Sequence, residues 1–212
     1  MASVGRTEQR SARLLAGLTA TRRRQPRRRS VAPRRSRPGR AGGRIDVQVD
    51  GESPADTDAQ LLALERESSV ASLLSATARV LVAVLDASAC TISRAIGDLL
   101  VELVDYSPTG PVQAGHGYLI SDYPATRDVL EQLRPAVVSI TDPAADPKEV
   151  ELLRALGFDA LLMLPLEREG EAWGLVEVYG RRADGFVDEA TATARHVVQR
   201  AATVLARVTG TP

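Results

Sequence analysis

Gly157-Phe158-Asp159-Ala160-Leu161-Leu162-Met163-Leu164-Pro165-Leu166 is followed, after a charged link over 167–171, by Trp173-Gly174-Leu175-Val176-Glu177-Val178-Tyr179. Two apolar runs joined by a short polar link read as a β-hairpin. The first run is apolar at every position from Ala160 to Leu166, as expected of a strand buried on both faces. The hairpin therefore belongs in the middle of a covered sheet, and the rest of the chain has to supply that cover.

Working outward, Pro147 opens a helix through Leu156, and Gly157 reads as its left-handed C-terminal cap. Ala136 to Thr141 is a strand broken by Asp142-Pro143. Pro124 sits in the first turn of a helix running to Leu133, with Asp122 or Tyr123 near its cap. Gly117 to Ser121 is a short strand. Ala89 to Ile96 and Leu99 to Tyr106 are two strands joined by Gly97-Asp98, a hairpin turn by composition. A helical stripe of Val70, Leu73, Leu74, Thr77, Leu81 and Leu85 ends a helical region from Thr57 to Leu85. Asp56 or Thr57 is its expected cap, and a break or bend is expected at the polar residues 65–69. Asp188 is the expected cap of a last helix through Val208, whose stripe is Ala194, Val197, Val198, Ala201, Leu205 and Val208. The order α-β-β-β-α-β-α-β-β-α predicts an α+β fold: a mostly antiparallel sheet of about six strands with helices on both faces.

Charge divides the chain. Residues 1–44 hold fourteen Arg against Glu8 alone, a net +13, while residues 45–212 hold thirteen basic and twenty-six acidic residues, a net −13. Between Thr21 and Arg44 the residues are almost all Arg, Pro, Ser, Gly and Ala. Such a segment buries too little apolar surface to offset an ordering cost of roughly 1–2 kcal/mol per residue. Residues 1–52 are therefore expected to be a disordered basic tail, and 53–212 one folded domain. The single cysteine, Cys90, excludes an intramolecular disulfide. That fits a cytoplasmic protein, and no apolar stretch reaches the length of a membrane span.

Several motifs occur together and in order: V-D-Y-S-P-T-G (104–110), L-I-S-D-Y-P-A-T-R-D-V-L (119–130), D-P-A-A-D-P-K-E-V-E-L-L (142–153) and the opening hairpin. In combination they resemble GAF domains over about residues 68–208, in particular a subgroup of actinobacterial signalling proteins. Members of that subgroup often carry the domain ahead of a diguanylate cyclase or phosphodiesterase. The resemblance implies a sensory domain with a small-ligand pocket between one sheet face and the middle helices. On this chain the implied lining includes Tyr106, Tyr118, Ser121, Asp122, Tyr123, Arg127, Asp142 and Met163. Each has a structural alternative: Asp122 and Asp142 as caps or turn formers, Tyr106 and Tyr123 as core or rim aromatics, Arg127 in a surface salt bridge with Asp128 or Glu131.

Departures from the family's better-known branches bear on the ligand, whose identity the sequence leaves open. Cyclic-nucleotide GAF domains carry an Asn-Lys pair where this chain reads Tyr179-Gly180. Phe186 and Asp188-Glu189 echo the rest of that pattern at the wrong spacing, so cyclic nucleotide is not favoured. Bilin-binding members attach chromophore to a Cys commonly followed by His, whereas Cys90 precedes Thr91. His116 and His196, a loop and a helix-surface residue by position, argue against haem.

No enzyme is expected. The sulfoxide-reducing GAF branch needs two thiols, and this chain has one. No phosphate-binding glycine loop, nucleophile elbow or metal-ligand cluster occurs, and Cys90 reads as a small buried apolar residue. With no output domain in 1–212, the expected output is a cyclase, phosphodiesterase or kinase partner in trans. The resemblance further implies a homodimer through the first and last helices. The basic tail could hold nucleic acid electrostatically, although it lacks base-stacking aromatics. A second reading of the whole keeps the fold and empties the pocket, leaving a dimerisation or protein-interaction module.

Overall fold

The structure, a computed structural model, describes residues 54–112 and 117–210. The expected disordered tail and His116 lie outside the described residues. Helix α1 (Pro54–Leu64) and helix α2 (Val70–Val84) precede strands β1 (Ala89–Ile96), β2 (Leu99–Tyr106) and β3 (Gly117–Leu119). After a 3-10 turn at Ile120–Asp122 come helix α3 (Pro124–Gln132), strand β4 (Ala136–Ser139) and helix α4 (Pro147–Leu156). The hairpin β5 (Ala160–Arg168) and β6 (Glu171–Gly180) and the long helix α5 (Asp188–Thr209) complete the domain.

The six strands form one sheet in the order β3-β2-β1-β6-β5-β4, with every neighbouring pair antiparallel. The hairpin that opened the sequence reading occupies two of its central positions. Strand alternation divides the side chains into two layers. Cys90, Ile92, Leu162, Leu164, Val176 and Val178 meet α2 and α5 on one face. Ala89, Leu161, Met163, Leu175 and Tyr179 meet α3 and α4 on the other. Every residue of β5 from Ala160 to Leu166 is buried, as a strand covered on both faces requires.

Local chemistry adjusts several expected boundaries. The break expected at 65–69 is present and divides the region from Thr57 to Leu85 into two helices: the Ser69 side chain accepts the Ser72 N–H at 3.1 Å and so caps a new N-terminus. The polar turn between them is tied to α5. The Arg200 guanidinium meets Glu65 at 2.7 Å, and Arg207 donates to the carbonyls of Glu65 and Glu67. Helix α1 starts at Pro54, so Asp56 and Thr57 lie inside its first turn rather than at its cap. Helix α5 is preceded by Val187, with no side-chain cap, and Asp188 is its first residue. There its carboxylate favours the positive end of the helix dipole instead of capping. Strand β3 stops at Leu119 because Asp98 draws the chain into a turn, accepting the Ser121 N–H at 2.9 Å and hydroxyl at 2.7 Å. Strand β4 ends at Ser139, two residues before Thr141. Gly157 does end α4 in the left-handed region, at φ 79° and ψ 30°.

Candidate functional site

The layer between the sheet and α3/α4 is apolar in the main, yet two carboxylates lie within it. Glu177 is 3 % exposed and Glu149 is 1 % exposed. Glu177 comes from β6, where alternation aims it to the same side as Leu175 and Tyr179. Its two oxygens accept hydrogen bonds from the Thr91 hydroxyl and the Tyr118 hydroxyl, each at 3.1 Å. Glu149 comes from the first turn of α4, where Asp146 caps the helix by accepting the N–H groups of Lys148 and Glu149. Its carboxylate accepts from the Thr126 hydroxyl of α3 at 3.1 Å. Thr126 also lies 3.6 Å from the Met163 sulfur and is close enough to Tyr118 to act on its phenol. Two polar pairs, Tyr118–Glu177 and Thr126–Glu149, thus lie near each other between the sheet and the middle helices.

Burial sets the electrostatics. It pushes the Glu177 carboxyl up to about 7, with the Glu149 charge adding to the rise and the Tyr118 and Thr91 hydroxyls opposing it. Glu149 is raised as well, first by burial, with Thr126 opposing. The Tyr118 phenol is held above its ordinary range by burial and by the nearby Glu177 charge. A buried carboxyl whose proton affinity a second buried carboxylate raises further is a costly feature of a core, since an ionised Glu177 has only two hydroxyls to compensate it.

The eight residues implied by the resemblance divide by position. Tyr118, Tyr123 and Met163 share the layer, and the two tyrosine rings meet edge to face at 4.9 Å. Ser121 and Arg127 line an open depression of about 410 Å³ at the edge of the same layer, with Ile120, Leu130 and Ala172 as its apolar wall. Ser121 is engaged by Asp98 there, and Arg127 is half exposed with Asp128 at 3.5 Å. Asp142 is exposed and accepts the Ala144 N–H at 2.8 Å, the turn-forming role. Asp122 ends the 3-10 turn, and Tyr123, not Asp122, takes the cap position of α3. Tyr106 does not belong to the group: it packs against the α2/α5 layer on the opposite face.

Glu177, Glu149, Thr91 and Thr126 were not singled out from the sequence. For Glu177 a signal existed. It is the one charged residue in Gly174-Leu175-Val176-Glu177-Val178-Tyr179, a strand expected to be covered on both sides. Glu149 gave none, since an acidic residue in a first helical turn is ordinarily solvated.

A six-stranded antiparallel sheet with this strand order and helical cover is the α+β fold of GAF domains. The GAF domain family matches residues 69–205, and the chain belongs to that family. Solved structures with the same fold include the phycoerythrobilin-bound GAF domain from a cyanobacterial phytochrome. It is 18 % identical with a TM-score of 0.62, over 72 % of this chain and 95 % of that one. The chromophore-binding domain of an unusual bacteriophytochrome from R. palustris is 12 % identical with a TM-score of 0.62, over 72 % of this chain and 60 % of that one. The photosensory core module of the Stigmatella aurantiaca phytochrome is 15 % identical with a TM-score of 0.60, over 71 % of this chain and 35 % of that one. The chain spans less than two thirds of the last two. At these identities the likeness is one of fold. No curated protein is significantly similar to the sequence. Among the described residues no helix is long and apolar enough to cross a membrane.

Proposed function

We propose that this GAF domain is a small-molecule sensor whose ligand enters the layer between the sheet and α3/α4 and engages the buried carboxyls of Glu177 and Glu149. The observation that carries the reading is their burial together in one apolar layer. A perturbed titratable pair inside such a layer is a functional-site candidate, and a few convergent polar groups on apolar walls are what a ligand site needs. The depression holding Ser121 and Arg127 is the proposed mouth, and Tyr118, which bonds Glu177 and meets the Tyr123 ring, is the proposed gatepost. Binding rather than catalysis is the proposed activity. Cys90 lies on the other sheet face, fully buried, with its thiol pKa raised by burial first and then by Glu177 and Asp105. A thiol held protonated is no nucleophile. The same position speaks against bilin attachment through Cys90, although one structural relative is phycoerythrobilin-bound.

The output is proposed to be a partner in trans, read from a homodimer built on the end helices, within the actinobacterial signalling subgroup. A specific observation favours the alternative of a closed interaction module. Tyr118, Met163, Phe158 and Tyr179 already fill the layer, with the Phe158 and Tyr179 rings 5.1 Å apart. Native mass spectrometry of the full chain, followed by a metabolite-library thermal shift, separates the two. Retained or stabilising ligand whose effect is lost in Glu177→Gln supports the sensor. A ligand-silent protein stabilised by Glu177→Gln supports the closed module.

A further inference from the structure

The sheet face that carries α2 and α5 is not covered along its whole length. Cys90 and Ile92 of β1 are buried beneath the helices, but Arg94 and Ile96, two and four residues further on the same side, emerge beyond them. Ile96 pairs with Leu99, and Leu99 pairs with Leu119 of the edge strand. The three side chains therefore stand in a row on one face, at 60 %, 40 % and 38 % exposure. Beside this row Trp173 is set by a bulge in the β5–β6 ladder, where Leu166 pairs with Gly174 and Glu167 with Ala172, leaving Trp173 as the extra residue. The Arg94 guanidinium lies over the Trp173 ring at 4.6 Å and donates to the Trp173 carbonyl.

Arg94 and Arg168 place two cations beside the row on a domain that is net negative, with Asp98, Glu169 and Glu171 at its border. Residues 45–212 are net negative, yet Arg94 forms no salt bridge among the described residues. The second guanidinium, Arg168, lies close enough to depress the Arg94 pKa, after the effect of burial. Arg168 meets the exposed Glu169 through one terminal nitrogen, while its Nε is buried without a hydrogen-bond partner. A guanidinium without a counter-ion among the described residues, with a second cation nearby, calls for an oxyanion. The ring and carbonyl of Trp173 hold the Arg94 guanidinium in place beside the apolar row, where a carboxylate can meet it. An anion alone would leave Ile96, Leu99 and Leu119 in water, whereas a polypeptide bearing both acidic and apolar side chains meets both needs. Trp and Arg are the residue types on which such contacts concentrate their energy.

We propose that Arg94, Arg168, Trp173, Ile96, Leu99 and Leu119 form a docking surface for an acidic amphipathic segment of a partner protein. The partner's carboxylate occupies the Arg94–Arg168 edge and its apolar side chains lie along the row. The surface is on the sheet face opposite to the proposed ligand layer and does not depend on that reading.

Trp173 is the chain's single tryptophan, so its emission reports this surface and not the Arg-rich residues 1–44. The full chain is titrated with a synthetic peptide of about sixteen residues carrying Leu and Glu on a helical pattern. A Leu/Lys peptide and a Ser/Glu peptide of the same pattern serve as comparisons. The expected result is a saturable change in Trp173 emission with Leu/Glu alone, weakened about tenfold or more by Arg94→Gln and by Ile96→Ser. Ile96 is largely exposed, so Ile96→Ser keeps the test intact if Arg94→Gln disturbs the strand. Equal binding of the Ser/Glu peptide, or binding indifferent to both variants, overturns the proposal. So does light scattering that shows a dimer dissociated by Arg94→Gln, which would assign the surface to a second copy of this chain.

Discussion

The Tyr118 hydroxyl donates to Oε1 of Glu177 at 3.1 Å, joining the short edge strand β3 to a carboxyl in the centre of the sheet. Thr91 occupies the other oxygen. No cation faces this carboxyl among the causes of its shift: Glu149 and Glu102 raise its proton affinity, and only the two hydroxyls oppose them. The folded domain therefore holds a proton on Glu177 that the unfolded chain has already released.

That difference predicts a stability that falls as pH rises. Below the ordinary carboxyl value of 4.5 both states are protonated and the penalty is absent; between 4.5 and about 7 the folded state alone keeps the proton. Stability is thus lost across this window and is level above it, by up to ~3 kcal/mol, since one pKa unit is about 1.4 kcal/mol. Glu177→Gln is expected to flatten the profile. Urea unfolding from pH 4.5 to 8.5 checks this, and a wild-type profile that rises through the window would refute the assignment.

Gly174 and Gly157 are expected to tolerate alanine differently. A Cβ on Gly174 would stand 2.2 Å from the Ser93 carbonyl oxygen in the neighbouring strand, and backbone cannot step aside. Gly174→Ala should cost about 3 kcal/mol, at the upper end of overpacking losses. Gly157 has nothing within 4 Å of a built Cβ, so its cost is only that of the left-handed φ of 79°. Gly157→Ala should then lose about 1–2 kcal/mol. Denaturant midpoints order the two, and the reverse order would contradict the geometry.

Cys90 is expected to be inert in the folded protein. It is fully buried against the α2/α5 layer, and burial with two nearby acids keeps its thiol protonated. Labelling by a thiol reagent at pH 8 should proceed only through opening of the domain. It should therefore slow with every stabilising condition and become immediate in urea. Rapid labelling of the native chain would overturn both this and the case against thiol chemistry.

The fold was legible because its decisive strands carry their environment in their composition. The run 160–166 has no polar residue, which only a doubly covered strand permits, and Pro147 with Gly157 brackets α4 by backbone preference alone. Boundaries that depend on side-chain hydrogen bonds were less so. Asp98 redirects the chain by accepting the Ser121 N–H and hydroxyl, and nothing in its neighbours marks that choice, whereas the polar run 65–69 did mark the break that Ser69 caps. The site was half legible. Tyr118, Tyr123 and Met163 were named and do converge. Tyr106, implied by the resemblance and not by spacing, lies on the opposite face: a bulge near Leu103, where Ile92 pairs with Val104 and Ser93 with Glu102, resets the parity of β2. Glu149 was invisible because its burial comes from Thr126, twenty-three residues away on another helix.

Tyr118→Phe tests whether the Tyr118–Glu177 contact is chiefly a hydrogen bond or chiefly packing. The ring and its edge contact with Tyr123 survive the change, so the packing loss is small. The hydroxyl is one of two donors that hold the Glu177 pKa down, and removing it leaves an ionised carboxylate with Thr91 alone. A hydrogen bond to a charged group is worth about 1.5–3 kcal/mol and one to a neutral group about 1 kcal/mol. The variant should therefore be destabilised more at pH 8.5, where Glu177 is ionised in the folded state, than at pH 5, where it is protonated. The falling limb of the stability profile should also extend to higher pH than in the wild type. In a Glu177→Gln background the pH dependence of the Tyr118→Phe effect should vanish, because no charge remains for the hydroxyl to serve. A double-mutant cycle at both pH values measures this directly, and a coupling energy independent of pH would show that Tyr118 only packs.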